Sequence, residues 1–406
     1  MPVHRVVITG MGAVTPLGIG AAPTWAAMCE GRSAIGAITS LPRETLRFGI
    51  AAEVKDFDPL AWFDEKRLIL LDRVSQFALV AAREAIAQSG IDFAADGIGE
   101  NTAVIIGSGV GGEQTHDAAS QRLYRENNPR LHPLTIVRLM ANAPACQVSI
   151  EHGLSGPAFA TASACSSANH ALAQAFHMVR SGVADAAVAG GSEACITYGV
   201  VKAWEAMRVM ADDTCRPFSK QRRGMVIGEG AGIYVLETLE RAQRRGATIL
   251  AEFAGAGMSA DAADIVFPSE IGAARAIQRA LDDGALGADE IGYINAHGTA
   301  TPANDPTETK AIRRVFGAHA DALAMSSTKS MHAHALGAAG AIELIAAIGA
   351  LRDGVLPPTV NFIDPDPECD LDCIPNVARE KEVRAVLSNS FAFGGLNAVV
   401  ALRRAP

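Results

Sequence analysis

The sequence predicts an α/β fold built by duplication, and three observations carry that expectation. Segments with strand and helix patterning alternate from end to end, the arrangement of packed α/β layers. The chain is 49% hydrophobic but only 5% aromatic and 19% charged, with 39 glycines, which suits close-packed layers joined by tight turns. Four strand-and-glycine segments recur in the same order later in the chain.

Taken in order, "HRVVITGMGAV" opens as a strand running into a glycine turn, and "ILAEFAGAGMSAD", from Ile249, repeats it. "TAVIIGSGVGG" (102–112) pairs with "IGYINAHGTAT" (291–301), each a strand followed by a glycine loop. Next comes "AFATASACSSANHALAQAF" (158–176). Phe159 to Ala164 read as a short buried strand, and Ala168, Ala171, Leu172, Ala175, Phe176 and Val179 recur at helical spacing. A helix is therefore expected to begin within a residue or two of Cys165. Its counterpart spans residues 323–351, where Ala333 to Leu351 approaches membrane length. That run contains His334 and Glu343 and is weakly hydrophobic, so it reads as a buried core helix. "DAAVAGGSEA" (185–194) is echoed by "RAVLSNSFAFGGLNAVVAL" (384–402). The expected halves are 1–250, carrying Cys165, and 251–406, carrying His297 and His334.

Composition excludes several classes. A net charge of −9 argues against nucleic acid as a partner. The apolar start is broken by glycines and a proline, so no secretory leader is expected. Seven scattered cysteines, an odd number, then suit reduced thiols in the cytoplasm. Cys369 and Cys373 are an isolated pair without the further ligands that zinc requires, so no metal site is expected. "TGMGAVTPLG" lacks the third glycine spacing of a dinucleotide fingerprint, and no P-loop pattern occurs.

Corresponding strand ends of a duplicated fold converge, and here they carry Cys165, His297, Lys329 and His334. One thiol, two imidazoles and one ammonium form a coherent inventory for nucleophilic catalysis. Placement of the thiol at a helix N-terminus is expected to favour the anion, and a shift to ~7.5 would already make about a quarter of it thiolate.

"TASACSSANHA", "NAHGTATPAND", "STKSMHAHALGAAGAIE" and "NSFAFGG", in this order, resemble the motifs of the β-ketoacyl-[acyl-carrier-protein] synthases with a Cys-His-His site. The resemblance runs from "RVVITGMGAVTPLG" to "FAFGGLNAVVAL". It implies a thiolase-like, duplicated five-layered α-β-α-β-α fold, a cytoplasmic homodimer, no cofactor, no membrane insertion, and an acyl carrier protein as partner. The implied reaction is decarboxylative condensation of an acyl thioester with malonyl-carrier protein, of the synthase II type. Cys165 would take the acyl group, while His297 and His334 stabilise the enolate left by carbon dioxide. Lys329 would support the site electrostatically, and the N–H groups of Cys165 and Phe393 would form the oxyanion hole.

The same resemblance assigns Phe393 with Gly394 and Gly395 to a gate, and Thr299 and Thr301 to the phosphopantetheine arm. Glu343 falls in a supporting polar network, and Val110 and Trp204 line the acyl pocket. Lys66, Arg67, Arg130 and Arg208 fall where relatives dock the acidic carrier. His332 reads as structural. "VVKAWEAMRVMADDTCRPFSKQRRGMVIGEGA", "DIVFPS" and "PDPECDLDCIPNVARE" resemble the nodulation-type ketosynthases, which elongate unusual acyl chains. Two other readings are weaker. A non-catalytic chain-length partner lacks the nucleophile, and a thiolase carries a second cysteine in the C-terminal glycine motif.

Overall fold

A computed structural model of the chain describes residues 3–406. Ten strands form the spine: β1 (Val6–Thr15), β2 (Thr102–Gly107), β3 (Ala158–Thr161), β4 (Ala186–Glu193), β5 (Gly230–Thr238), β6 (Ala251–Ala260), β7 (Ile291–Asn295), β8 (Ala324–Ser326), β9 (Ala385–Ala392) and β10 (Leu396–Arg403). Across the sheet they run β8-β7-β9-β10-β6-β1-β5-β4-β2-β3. Read outward from the middle, β1-β5-β4-β2-β3 and β6-β10-β9-β7-β8 are the same order with every number raised by five. The seam between them is short and antiparallel, Val6 facing Phe253 and Ile8 facing Ala251.

Helices complete five layers. α1 (Arg73–Ser89) covers the outer face of β1, β5 and β4. α2 (Ser167–Arg180) and, later in the chain, the helix Ala339–Asp353 lie between the two sheet halves and pack on both. α3 (Glu270–Gly284), over β6 and β10, and α4 (Asn304–Phe316), packed on α3, form the opposite outer layer. The inner helix Ala339–Asp353, α5, is buried on every side from Ala339 to Leu351. An all-round apolar helix can sit only inside a core, and one continuous hydrophobic cluster joins β1, α2, α5 and β10. Among the described residues no helix is long and apolar enough to cross a membrane.

One expected element differs. The strand before Cys165 is Ala158–Thr161, and it is exposed to half-buried because it ends the sheet with β2 as its sheet neighbour. Glycine lets the next helix approach: a Cβ on Gly107 would fall 2.4 Å from the Ser167 carbonyl carbon. The start of α2 is thereby pressed against the end of β2.

Candidate active site

Cys165 lies in a tight turn, Ala164–Ser166, between β3 and α2. Ala164 before it takes φ 50, a left-handed backbone that an alanine adopts only when its surroundings enforce it. Those surroundings are hydrogen bonds. The Ser163 N–H donates to Ser167 Oγ at 2.9 Å, whose hydroxyl donates to Ala164 O at 2.6 Å. Ser163 Oγ also meets His170 Nδ1 at 2.8 Å.

The expected lowering of the thiol pKa is not what the structure gives. Cys165 is 5% exposed, and burial pushes its thiol up to about 12. Lys329 and the backbone N–H groups of Cys165 and Phe393 pull the other way without overcoming it. Burial was invisible to a reading that weighed only helix position.

His297 follows β7, and its ring faces that of His334, centroids 5.4 Å apart and nearly perpendicular. The Lys329 ammonium stands 3.5 Å from His297 Nδ1 and donates to His297 O at 2.7 Å. An ammonium only donates, so Nδ1 presents its lone pair and Nε2 carries the proton. Both imidazoles are held well below their usual pKa by burial first and by Lys329 second. They are neutral N–H donors at neutral pH.

Lys329 is fully buried and paired with the equally buried Glu343. Burial raises the Glu343 carboxyl to about 7, with Lys329 opposing. His332 is buried beside them, its Nε2 3.0 Å from Thr328 Oγ1, and burial holds it neutral.

Cys165, His297 and His334 line one cavity of about 280 Å³, together with Thr299, Thr301 and Phe393. The threonine hydroxyls are 3.0 Å apart. Phe393 precedes Gly394 and Gly395, at φ 81 and 67, and stacks on Trp204 at 5.9 Å between ring centroids. Arg208 is at the cavity mouth and also borders a depression shared with Arg47 and Arg223.

Other expected residues lie elsewhere. Val110 is 43% exposed and outside this cavity in the single chain, because its loop follows β2 toward the open end of the sheet. Trp204 reaches the cavity only through Phe393. Lys66 and Arg130 are exposed, whereas Arg67 pairs with Glu151 at 3.6 Å and is not a free cation. Cys369 and Cys373 are packed in an apolar cluster.

Sequence reasoning missed Glu308. Its carboxylate accepts the N–H groups of His297 and Gly298, each at 2.8 Å, and the Asn389 amide at 3.1 Å. The available signal was a polar face at the start of α4, Asn304, Asp305, Glu308 and Thr309, all buried.

The family models for the β-ketoacyl synthase N-terminal and C-terminal domains match residues 3–242 and 250–363. The chain is 50% identical over 405 residues to nodulation protein E of Rhizobium sp. (strain N33), covering 99% of each chain. It is 42% identical over 411 residues to 3-oxoacyl-[acyl-carrier-protein] synthase 2 of Staphylococcus aureus (strain COL), covering 98% of each. Among solved structures, a type II PKS acyl-carrier protein in complex with its ketosynthase superposes with a TM-score of 0.90 at 30% identity, covering 100% of both chains. With two domain models spanning most of its length and full-length relatives at this identity, the chain belongs to the β-ketoacyl synthase family and catalyses the condensation that extends an acyl chain.

Proposed function

We propose that the chain is a synthase II type enzyme that condenses an acyl group held on Cys165 with malonyl-carrier protein. The shared cavity of Cys165, His297 and His334 is the observation that carries this reading. Cys165 Sγ attacks the acyl thioester, and its proton leaves with the departing pantetheine thiol. A thiol this buried is a neutral reservoir until substrate enters, so attack and proton loss are coupled. The malonyl thioester then loses carbon dioxide, leaving an enolate whose oxygen receives N–H donors from His297 and His334. The enolate carbon attacks the acyl-Cys165 carbonyl. The N–H groups of Cys165 and Phe393 hold the resulting oxyanion, and the sulfur departs as a thiolate that takes up a proton from solvent water.

Further assignments follow the same reading. Thr299 and Thr301 take the phosphopantetheine arm, and Phe393 swings on Gly394 and Gly395 as the gate, supported by their positive φ. Arg208 at the mouth, with Lys66 and Arg130, docks the acidic carrier, whereas the charge of Arg67 is engaged by Glu151. A homodimer is supported by the open edge of β3 and by exposed Ile136 and Val137. A second copy there would cover Val110 and complete the acyl pocket beside Trp204. Residues 1–250 and 251–406 are the duplicated halves, in keeping with the repeated strand order. Seven free cysteines suit the cytoplasm. Higher identity to nodulation protein E than to synthase 2 favours a specialised acyl chain as substrate.

The test offers acyl-carrier protein of six to sixteen carbons with malonyl-carrier protein, and follows carbon dioxide and product mass. Wild type should condense and Cys165→Ala should not. Condensation by Cys165→Ala, or none by wild type with any donor, contradicts the proposal.

A further inference from the structure

Among the described residues, neither ring nitrogen of His334 has a hydrogen-bond partner. Its position must come from its backbone. On one side the His334 N–H donates to Val226 O at 2.8 Å, and its carbonyl accepts from the Gly228 N–H at 2.9 Å. On the other side the chain passes through Leu336 at φ 43 to Gly337, whose N–H donates to Glu193 Oε2 at 3.0 Å.

Glu193, at the end of β4, is fully buried and gathers a second loop on the same carboxylate. The Gly109 N–H donates to Oε2 at 2.6 Å, the Ser108 hydroxyl to Oε1 at 3.0 Å, and the Val110 N–H to Oε1 at 3.4 Å. Glycine makes the room: a Cβ on Gly109 would lie 2.9 Å from Glu193 Oε2, and one on Gly337 2.7 Å from it. Two loops 228 residues apart by number, 109 and 337, thus close on one carboxylate with neutral donors. Glu308 does the same for the His297–Gly298 turn.

We propose that Glu193 is the positioning residue for His334, fixing the turn that follows it against the loop after β2. The inference rests on the reading of His334 as an enolate donor. Without the carboxylate the turn keeps its anchor at Val226 and Gly228 but loses the one at Gly337, so the imidazole drifts from the site of charge development.

Glu193→Gln and Ser108→Ala are made in the full chain, with His334→Ala as reference. Carbon dioxide release from malonyl-carrier protein, Cys165 acylation followed by mass, and thermal unfolding are measured on each. Glutamine turns an amide N–H toward backbone donors, so its kcat for carbon dioxide release should fall about tenfold with KM unchanged. Cys165 acylation should stay within about twofold, and Ser108→Ala should lose about threefold of the release rate. Equal loss of release and acylation makes Glu193 merely structural and overturns the inference, as does unchanged release in both variants. Should Glu193→Gln not fold, Ser108→Ala decides on the same two rates. Retention of carbon dioxide release by His334→Ala would instead remove the reading of the site itself.

Discussion

His297 and His334 face one cavity from loops of the same half of the chain, yet they are held in opposite ways. His297 has Lys329 at Nδ1 and Glu308 on its backbone, so its tautomer and its position are both imposed. His334 has no partner on either ring nitrogen, and only its backbone is anchored. The difference separates two tasks. One ring is fixed in tautomer and in place, and the other is fixed through its backbone alone. A buried polar atom left without a partner is costly, so the unpartnered nitrogens of His334 are open to a hydrogen bond from whatever enters the cavity.

The sharpest way to break this contrast is Lys329→Met. It frees the His297 tautomer and leaves Glu343 buried without its cation, and losing one partner of a buried pair costs up to about 3–5 kcal/mol, less once the carboxyl takes up a proton. Denaturant unfolding should show that loss, with malonyl decarboxylation lost as well. Adding Glu343→Leu should restore stability without restoring activity. Full activity in the double variant would show that the charge has no role in fixing His297.

A smaller effect is expected from Glu308→Gln, which loosens the His297–Gly298 turn while leaving Lys329 in place. The kcat for decarboxylation should fall at least about tenfold with little change in KM. Steady-state kinetics that move KM alone would instead place Glu308 outside the positioning of His297.

The smallest effect concerns pH. Burial raises both Glu193 and Glu343 to about 7, above the 4.5 of an exposed glutamate. The folded chain therefore keeps protons that the unfolded chain has released. The stability these groups contribute is complete below about 4.5 and is lost as pH rises through about 7. Thermal midpoints from pH 5 to 8 should fall with a slope that Glu193→Gln flattens. An unchanged slope would mean that Glu193 stays ionised throughout.

Much of this site was legible in the sequence because glycine loops follow strands, and Cys165, His297, Lys329 and His334 stand in such loops. The duplicated strand order was readable for the same reason, as was the buried helix in an alanine-rich run. Glu308 and Glu193 were not legible. Their partners are backbone N–H groups, which leave no trace in residue type, and Glu193 reaches one 144 positions away. The acidity of Cys165 was misread because local pattern reports a helix terminus but not how deeply the sulfur is buried. Val110 lies outside the cavity of the single chain because its loop follows β2 beside the open edge of the sheet, and an edge is a property of topology alone.

The central claim is that two neutral imidazoles act on the second substrate while Cys165 only holds the first. Cys165→Gln, which imitates the acylated sulfur, tests it through carbon dioxide release from malonyl-carrier protein. This variant should release carbon dioxide without forming product, and adding either His297→Ala or His334→Ala should stop the release. Continued release after removal of both imidazoles would contradict it.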